Sequence, residues 1–218
     1  MTQSRRSERI GLLGGSFDPI HVGHIALARA AQIALPLDSI RFVPTARSWQ
    51  KRQRQTDPAH RQAMIARAIA GQTTWHIDDR EVRRGGASYT VDTLAGLREE
   101  LDPAIALVLI LGGDQLRNLA TWHRWRELLH YCHIAATQRG QSSLQDLPDD
   151  VESLMQAHGR DALPDTPAGS IVLFRMPAVP VSSTRLRQAI DTGEPVAELL
   201  PPGVAEYIAQ HHLYREEA

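Results

Sequence analysis

The chain has 218 residues and balanced charge, with 24 basic against 25 acidic side chains and a formal net charge of −1. This length suits one well-buried α/β domain, and the balance gives no electrostatic sign of a nucleic-acid or anionic-membrane partner. No apolar run is long enough to span a membrane, the N-terminus lacks the apolar core of a signal peptide, and one cysteine, Cys132, cannot form an internal disulfide. We expect a cytoplasmic protein with no nucleic-acid or membrane partner.

Short apolar runs alternate with helical patterns along the chain. This alternation predicts an α/β fold with a Rossmann-like, doubly wound parallel sheet of about six strands. The continuously apolar run at 105–111 is typical of a central parallel strand that is covered on both faces. The predicted strands lie at 10–13, 39–43, 75–77, 105–111, 133–136 and 171–174, and the predicted helices at 24–34, 58–70, 91–100, 125–130 and 151–158.

We expect residues 1–218 to form a single domain. The segment 138–169 is polar and rich in Asp, Ser, Gly and Pro, so we interpret it as a surface excursion between the last two strands. Residues 183–215 follow the last strand and are interpreted as a small C-terminal helical part. Ligands of such sheets bind at the carboxyl ends of the strands, so the side chains that directly follow strands are the candidates for function.

The first such segment is Gly-Gly-Ser-Phe-Asp-Pro-Ile-His-Val-Gly-His at 14–24, between a predicted strand and a predicted helix. A strand, a glycine turn and a helix start in this order are typical of phosphate sites. His21 and His24 are three residues apart, so on a helix they share one face and can reach one group, and Gly23 leaves room for it. The segment matches neither the P-loop nor the dinucleotide-binding pattern, and it lacks the third ligand of a zinc site.

The second segment, Val-Ser-Ser-Thr-Arg-Leu-Arg at 181–187, follows the last predicted strand. Ser182, Ser183 or Thr184 can cap a helix there. Two arginines, the second of them Arg187, then fall in the first turns, where the helix dipole opposes a cation. An anionic ligand nearby would account for them, and the alternative is an ordinary cap with solvated arginines.

Five stretches together resemble the bacterial nicotinate-nucleotide adenylyltransferases, a family within the HxGH nucleotidyltransferase superfamily. The first and last stretches are shared across the superfamily, whereas Ser88-Tyr-Thr90 and Thr121-Trp122 are typical of this family. The C-terminal segment 201–215 also has the ending of the family. The five stretches are 14–24, 87–94, 111–116, 120–125 and 181–187.

The resemblance implies adenylyl transfer in NAD biosynthesis. The phosphate of nicotinate mononucleotide would attack the α-phosphorus of ATP, giving nicotinate adenine dinucleotide and pyrophosphate. No covalent enzyme intermediate is implied, so catalysis would consist of positioning and charge neutralisation. Mg²⁺ would act with ATP, held by phosphates and water and by no metal-binding side chains. The resemblance leaves open whether the chain forms a homo-oligomer.

Carried to this sequence, the resemblance implies three groups of site residues. The catalytic residues would be His21, His24 and Arg187. The residues that bind ATP and its phosphates would be Gly14, Gly15, Ser16, Phe17, Gly23, Lys51, Asp114, Ser182, Ser183 and Thr184. The residues that bind the nicotinate nucleotide would be Thr90, Trp122 and His123.

Some of these residues also have a structural interpretation. Trp122 either offers a flat face to a pyridine ring or fills the core, a role for which Trp125 is the better candidate. Thr90 either donates a hydrogen bond to the nicotinate carboxylate or caps the helix at 91–100. Asp114 either contacts a ribose or phosphate region or serves as a structural cap.

One segment departs from the family pattern. After the second strand the family has a Pro-Pro-His-Lys/Arg type of segment, and this sequence has Ser48-Trp49-Gln50-Lys51. Lys51 is the only lysine, against 23 arginines, which favours a site that prefers a compact ammonium group. The alternative is a solvated basic loop that includes Arg52 and Arg54.

Two other functions stay open. Another small-molecule adenylyl- or cytidylyltransferase of the superfamily would share the first motif, although the Ser-Tyr-Thr and Thr-Trp segments argue against it. A non-catalytic nucleotide sensor on the same fold would be expected to have lost His21, His24 or Arg187, and all three are present.

Overall fold

The computed structural model describes residues 6–46, 55–138 and 147–215. The strands are β1 Arg9–Gly15, β2 Ser39–Pro44, β3 Trp75–Ile77, β4 Ala106–Leu111, β5 His133–Gln138, β6 Gly159–Arg160 and β7 Ile171–Arg175. The α-helices are α1 Val22–Ala34, α2 Pro58–Ala68, α3 Arg80–Arg84, α4 Thr90–Glu100, α5 Gly113–Arg117, α6 Leu128–Tyr131, α7 Asp149–His158, α8 Ser183–Asp191 and α9 Val204–Gln210. Turns of 3₁₀ helix lie at Leu119–Thr121, Trp125–Glu127 and Ala197–Leu199.

The seven strands of the described residues form one sheet in the order β3-β2-β1-β4-β5-β7-β6. Each pairing whose register is described is parallel, namely β1 with β4, β4 with β5, β5 with β7 and β7 with β6. The chain therefore starts in the middle of the sheet and winds outward in both directions, as in doubly wound folds. The predicted fold class is confirmed, with one strand more than the six expected.

The additional strand, β6, has two residues and lies within the polar segment 138–169, where no apolar run could reveal it. Each of the six predicted strands is present. The helices α3 and α5 have five residues each, too few to show a helical period in the sequence. The helix predicted at 125–130 begins as a 3₁₀ turn and continues as α6.

The chain divides into two compact units. Unit 1 comprises Met1–Gly14, Ala28–Arg41 and Tyr89–Pro177, and unit 2 comprises Gly15–Leu27, Phe42–Ser88 and Ala178–Ala218. The single-domain organisation stays a prediction. No helix in the described part of the chain is long and apolar enough to cross a membrane.

The core of unit 1 lies around β4, in which all six residues are buried. Leucines of α4 and the side chains of Trp125 and Cys132 pack in the same apolar cluster. Burial raises the pKa of Cys132 to about 12, so the thiol stays protonated and inert at neutral pH. Trp125 is thus a core tryptophan, as the sequence predicts.

The core of unit 2 contains a chain of aromatic rings. The ring centroids of Phe17 and Phe42 are 5.8 Å apart, and those of Phe42 and Trp75 are 5.5 Å apart. Helix α2 packs beside them, and the side chain of Asp57 caps its N-terminus. This core lies directly under the turn that follows β1, because Phe17 belongs to both.

Candidate functional site

The first motif forms the turn between β1, which ends at Gly15, and α1, which begins at Val22. Within it Phe17 is fully buried and has a positive φ of 48°, which is uncommon for a bulky residue. Its ring packs edge-on against His24, with the centroids 5.0 Å apart. These contacts anchor the turn in unit 2 through the Phe17 side chain.

The two histidines of this motif are stacked, with ring centroids 3.8 Å apart and ring planes inclined by 27°. The backbone N–H of His21 donates to Nδ1 of His24 over 3.2 Å. Because Nδ1 accepts this bond, a neutral His24 carries its proton on Nε2, where it forms a donor suited to a phosphate oxygen. His21 precedes α1, so the pair is brought together by the turn and not by a shared helix face.

The glycines of the motif differ in their surroundings. A Cβ atom on Gly23 would lie 3.0 Å from Nδ1 of His21 and 3.0 Å from Cγ1 of Val181, so any side chain there would displace the His21 ring or Val181. A Cβ atom on Gly14 would meet no described atom within 4 Å. Gly23 is therefore required by the packing of the site, whereas Gly14 faces open space.

The second motif forms the start of α8 and contacts the first motif within unit 2. Ser182 caps the helix, since its Oγ accepts the N–H three residues later over 3.3 Å. Oγ of Ser183 donates to the carbonyl of Pro19 over 3.0 Å. Nη1 of Arg187 donates to the carbonyl of Asp18 over 2.8 Å. The helix start that could bind an anion is thus joined to the histidine turn.

Arg61, on α2, is a residue of this region that the sequence reasoning missed. Its side chain is fully buried and donates to three backbone carbonyls. Nε donates to Thr56 over 2.9 Å, Nη1 to Ser16 over 2.8 Å and Nη2 to Ala46 over 3.4 Å. One guanidinium group therefore holds the histidine turn, the loop after β2 and the segment before α2.

A signal for Arg61 exists in the sequence. Met64 and Ile65 follow it by three and four residues and are also buried, so a charged residue occupies the apolar face of a helix. Burial lowers the pKa of Arg61, and the carboxylate of Asp18 opposes this shift. Burying a charged side chain without partners is costly. A buried arginine at such a position therefore indicates that its guanidinium group forms hydrogen bonds that hold other segments in place.

The loop after β2 is held at two further points. The N–H of Ala46 donates to Oγ of Ser88 over 2.9 Å, and the N–H of Thr45 donates to the carbonyl of Gly15 over 3.0 Å. Ser88, in one of the segments typical of the family, thus supports the backbone next to the first motif. Lys51 follows in the sequence and is outside the described residues, so its predicted role in phosphate binding stays a prediction.

Unit 1 contains the residues predicted to bind the nicotinate nucleotide. Thr90 is the first residue of α4 and is preceded by Tyr89 at the cap position, so Thr90 is not the capping residue. The rings of Tyr89 and His123 pack together with centroids 4.4 Å apart. The ring contact therefore places His123 beside the residue that precedes Thr90.

Trp122 is half-buried and packs against the core of unit 1. Its Nε1 is buried and has no hydrogen-bond partner among the described residues, which is unusual for a tryptophan. Asp114 is exposed in the first turn of α5, after the cap residue Gly112. The Asp114 carboxylate accepts a hydrogen bond from Nε2 of Gln115 over 3.0 Å. Because Gly112 occupies the cap position, Asp114 is not the cap residue of α5, and its contact with a ribose or phosphate region stays a prediction.

The predicted site residues thus fall into the two units. Unit 2 contains Gly15, Ser16, Phe17, His21, Gly23, His24, Ser182, Ser183, Thr184 and Arg187. Unit 1 contains Gly14, Thr90, Asp114, Trp122 and His123. Thr184 is exposed on the first turn of α8.

Comparison with known proteins identifies the family. The cytidylyltransferase-like family model matches residues 12–189, which include both motifs. A protein of Herminiimonas arsenicoxydans described as "probable nicotinate-nucleotide adenylyltransferase" is 39% identical over 211 residues, which cover 94% of this chain and 96% of that protein. The chain belongs to the nicotinate-nucleotide adenylyltransferase family. This confirms the resemblance that the motifs predict.

A second relative supports the family assignment, and a solved structure supports the fold. A Pseudomonas fluorescens protein with the same description is 41% identical over 210 residues, covering 95% of this chain and 98% of that protein. The structure of Plasmodium falciparum nicotinic acid mononucleotide adenylyltransferase complexed with NaAD has a TM-score of 0.71 and 19% identity, covering 95% of this chain and 97% of that one. At this identity the structural likeness shows the fold, which the two chains share.

Proposed function

We propose that this protein transfers the adenylyl group of ATP to nicotinate mononucleotide, forming nicotinate adenine dinucleotide and pyrophosphate in NAD biosynthesis. The observation that carries the proposal is the contact between two phosphate motifs within unit 2, where Arg187 donates to the carbonyl of Asp18. Membership of the family supports the choice of reaction.

The reaction requires no nucleophilic side chain. An oxygen of the mononucleotide phosphate forms a bond to the α-phosphorus of ATP as the bond from that phosphorus to the pyrophosphate oxygen breaks. Nε2–H of His24, whose tautomer follows from the bond that its Nδ1 accepts, would donate to a phosphate oxygen where charge develops. His21 is stacked on His24 and would hold that ring in place.

Arg187 would stabilise the charge on the departing pyrophosphate. A guanidinium group has five N–H donors in a fixed plane, and the bond from Nη1 to the carbonyl of Asp18 fixes that plane. Ser182 and Ser183 place the N-terminus of α8 beside it, and the positive end of a helix dipole favours the same anion.

Nucleotidyltransferases of this kind generally use a divalent metal ion, and we infer that Mg²⁺ is the ion, bound as the ATP complex. The donors of the two motifs are imidazole, guanidinium and N–H groups, which fit phosphate oxygens. Mg²⁺ prefers oxygen ligands and retains waters. The residues of the motifs would therefore bind the phosphates, and the phosphates the metal ion.

Specificity for the nicotinate nucleotide would come from unit 1. The indole face of Trp122 suits a pyridine ring, and Thr90 and the backbone near His123 supply hydrogen-bond donors for a carboxylate. A carboxamide would present its own N–H₂ group to such donors, which disfavours nicotinamide mononucleotide. The cytoplasmic location and the roles of these residues stay predictions.

The test is pyrophosphate release from ATP and Mg²⁺ with three acceptors in parallel: nicotinate mononucleotide, nicotinamide mononucleotide and phosphopantetheine. We expect release that strongly favours the nicotinate form. Release that favours either other acceptor would replace the proposed substrate with that acceptor. No release with any acceptor, from folded protein that binds ATP, would favour the nucleotide sensor.

A further inference from the structure

Asp18 lies in the turn of the first motif and contacts three other segments of the chain. Its carboxylate is buried, with 3% of the residue exposed. Oδ1 accepts the hydroxyl of Tyr214 over 2.7 Å, and Oδ2 accepts the N–H of Thr56 over 3.2 Å. Its backbone carbonyl accepts Nη1 of Arg187 over 2.8 Å. A movement of Asp18 would therefore also move the anchor of Arg187.

Tyr214 reaches this turn from the C-terminal segment of the chain, four residues beyond the end of α9. It has a positive φ of 65°, a conformation that costs energy for a bulky residue and persists only where the surroundings enforce it. Burial, followed by the nearby carboxylate of Asp18, raises the pKa of Tyr214. The phenol therefore keeps its proton and remains a donor to Asp18 at neutral pH.

A second tyrosine of the C-terminal segment, Tyr207, contacts α2 instead of the first motif. Tyr207 of α9 is buried, and its hydroxyl is 2.8 Å from Nδ1 of His60 on α2. The guanidinium of Arg67 lies over the Tyr207 ring, 4.1 Å from the centroid. These described contacts of Tyr207 join α9 to α2 and do not reach the first motif, so Tyr207 provides a control for the contact that Tyr214 makes with Asp18.

We propose that Tyr214 is a positioning residue for the adenylyl transfer: its hydroxyl fixes the Asp18 carboxylate, and Asp18 in turn fixes the guanidinium of Arg187. The C-terminal segment thus becomes part of the phosphate site without contacting the substrate. This inference rests on the proposed function, because the group that Tyr214 positions acts on the departing pyrophosphate.

The experiment compares Tyr214→Phe with Tyr207→Phe. Each change removes one hydroxyl from the same C-terminal segment, but only the hydroxyl of Tyr214 bonds to the first motif. We expect Tyr214→Phe to lower kcat about tenfold while KM for nicotinate mononucleotide changes less than about twofold. Tyr207→Phe should leave kcat within about twofold of the parent when both are measured on fully folded protein.

A second readout separates this inference from the proposed reaction. The affinity for inorganic pyrophosphate, measured by calorimetry, should fall in Tyr214→Phe and not in Tyr207→Phe. Absence of pyrophosphate release from the parent protein would overturn the proposed function, and the pyrophosphate affinity would still test the role of Tyr214. If Tyr214→Phe does not fold, Asp18→Asn, which keeps the size of the side chain, serves in its place with the same expected losses.

The inference would be overturned by equal losses of kcat in the two tyrosine variants, or by unchanged kcat and unchanged pyrophosphate affinity in Tyr214→Phe. A double-mutant cycle gives the final check. In an Asp18→Ala background, removal of the Tyr214 hydroxyl should cause little further loss of kcat, because the oxygen that accepts from this hydroxyl is already gone. Independent, multiplying losses would contradict the connection through Asp18.

Discussion

Each of the two units contains an arginine that joins three chain segments through backbone carbonyls. In unit 1, Arg98 donates to the carbonyls of Tyr131, Ile105 and Pro167 over 2.8, 2.7 and 2.8 Å, and these carbonyls precede β5, β4 and β7. In unit 2, Arg61 donates to carbonyls that follow β1 and β2 and precede α2. Burial lowers the pKa of both arginines.

The positions of Arg61 and Arg98 predict different consequences for turnover and for stability. Substrates of doubly wound folds bind at the carboxyl ends of the strands, so Arg61 fixes segments that would contact substrate. Arg98 fixes the amino ends, where no site is expected. We therefore expect a change around Arg61 to reduce turnover beyond its effect on stability, and a change at Arg98 to reduce stability alone.

The largest effect on turnover should come from His24, which the proposed reaction uses as a donor to a phosphate oxygen and which packs against Phe17 and His21. We expect His24→Ala to lower kcat by about 10²–10³-fold, the usual loss for one donor to the transition state, with a melting temperature close to that of the parent. His24→Gln, whose amide N–H₂ can approach the position of Nε2, should lose less. Steady-state kinetics of pyrophosphate release provide the measurement. Near-normal kcat in folded His24→Ala would remove this histidine from the mechanism.

A smaller effect is expected from the glycines of the same motif, which form a matched pair. Gly23→Ala should lower kcat about tenfold, because its Cβ would displace the His21 ring or Val181 and small misplacements of reacting groups are costly. Gly14→Ala meets no described atom, so the free protein should be as stable as the parent. If a nucleotide occupies the space beside Gly14, this variant raises KM for ATP. An unchanged KM for ATP in Gly14→Ala would mean that Gly14 does not belong to the predicted ATP site.

The smallest effect concerns Trp122 in unit 1, with Trp125 as its control. We expect Trp122→Ala to raise KM for nicotinate mononucleotide by up to about tenfold, the value of one aromatic stack, and to change KM for ATP much less. Trp125→Ala should lower the melting temperature instead, because that side chain is in the core. Equal changes in both KM values would mean that Trp122 also serves packing.

Sequence patterns predict the parts of this protein that depend on neighbouring residues. The apolar run at 105–111 is enough to predict β4. The Ser-Ser-Thr pattern predicts a helix cap by one of three residues, and the structure shows that Ser182 is the one. Likewise the spacing of His21 and His24 predicts that their side chains lie close together, and they do. The reason is the turn before α1 and not the shared helix face that the spacing suggests.

Contacts between distant segments are the part that sequence patterns did not supply. The role of Arg61 depends on carbonyls 45, 15 and 5 residues away, and that of Tyr214 on a carboxylate 196 residues away. Backbone carbonyls carry no residue-type signal, so a pattern of side chains cannot reveal them. The strand β6 is missed for a related reason, since its two residues pair with β7 only after the sheet has formed.

The most direct test of this account compares Arg61→Lys with Arg98→Lys, measuring kcat and melting temperature for each. Lysine keeps the charge but cannot supply the planar set of donors that reaches three carbonyls. At a temperature where both variants are folded, the account predicts at least about a tenfold loss of kcat for Arg61→Lys and near-normal kcat with a lowered melting temperature for Arg98→Lys. Should Arg61→Lys fail to fold, Ser88→Ala weakens the same loop more gently. Equal kcat in folded variants of the two ends would contradict the account.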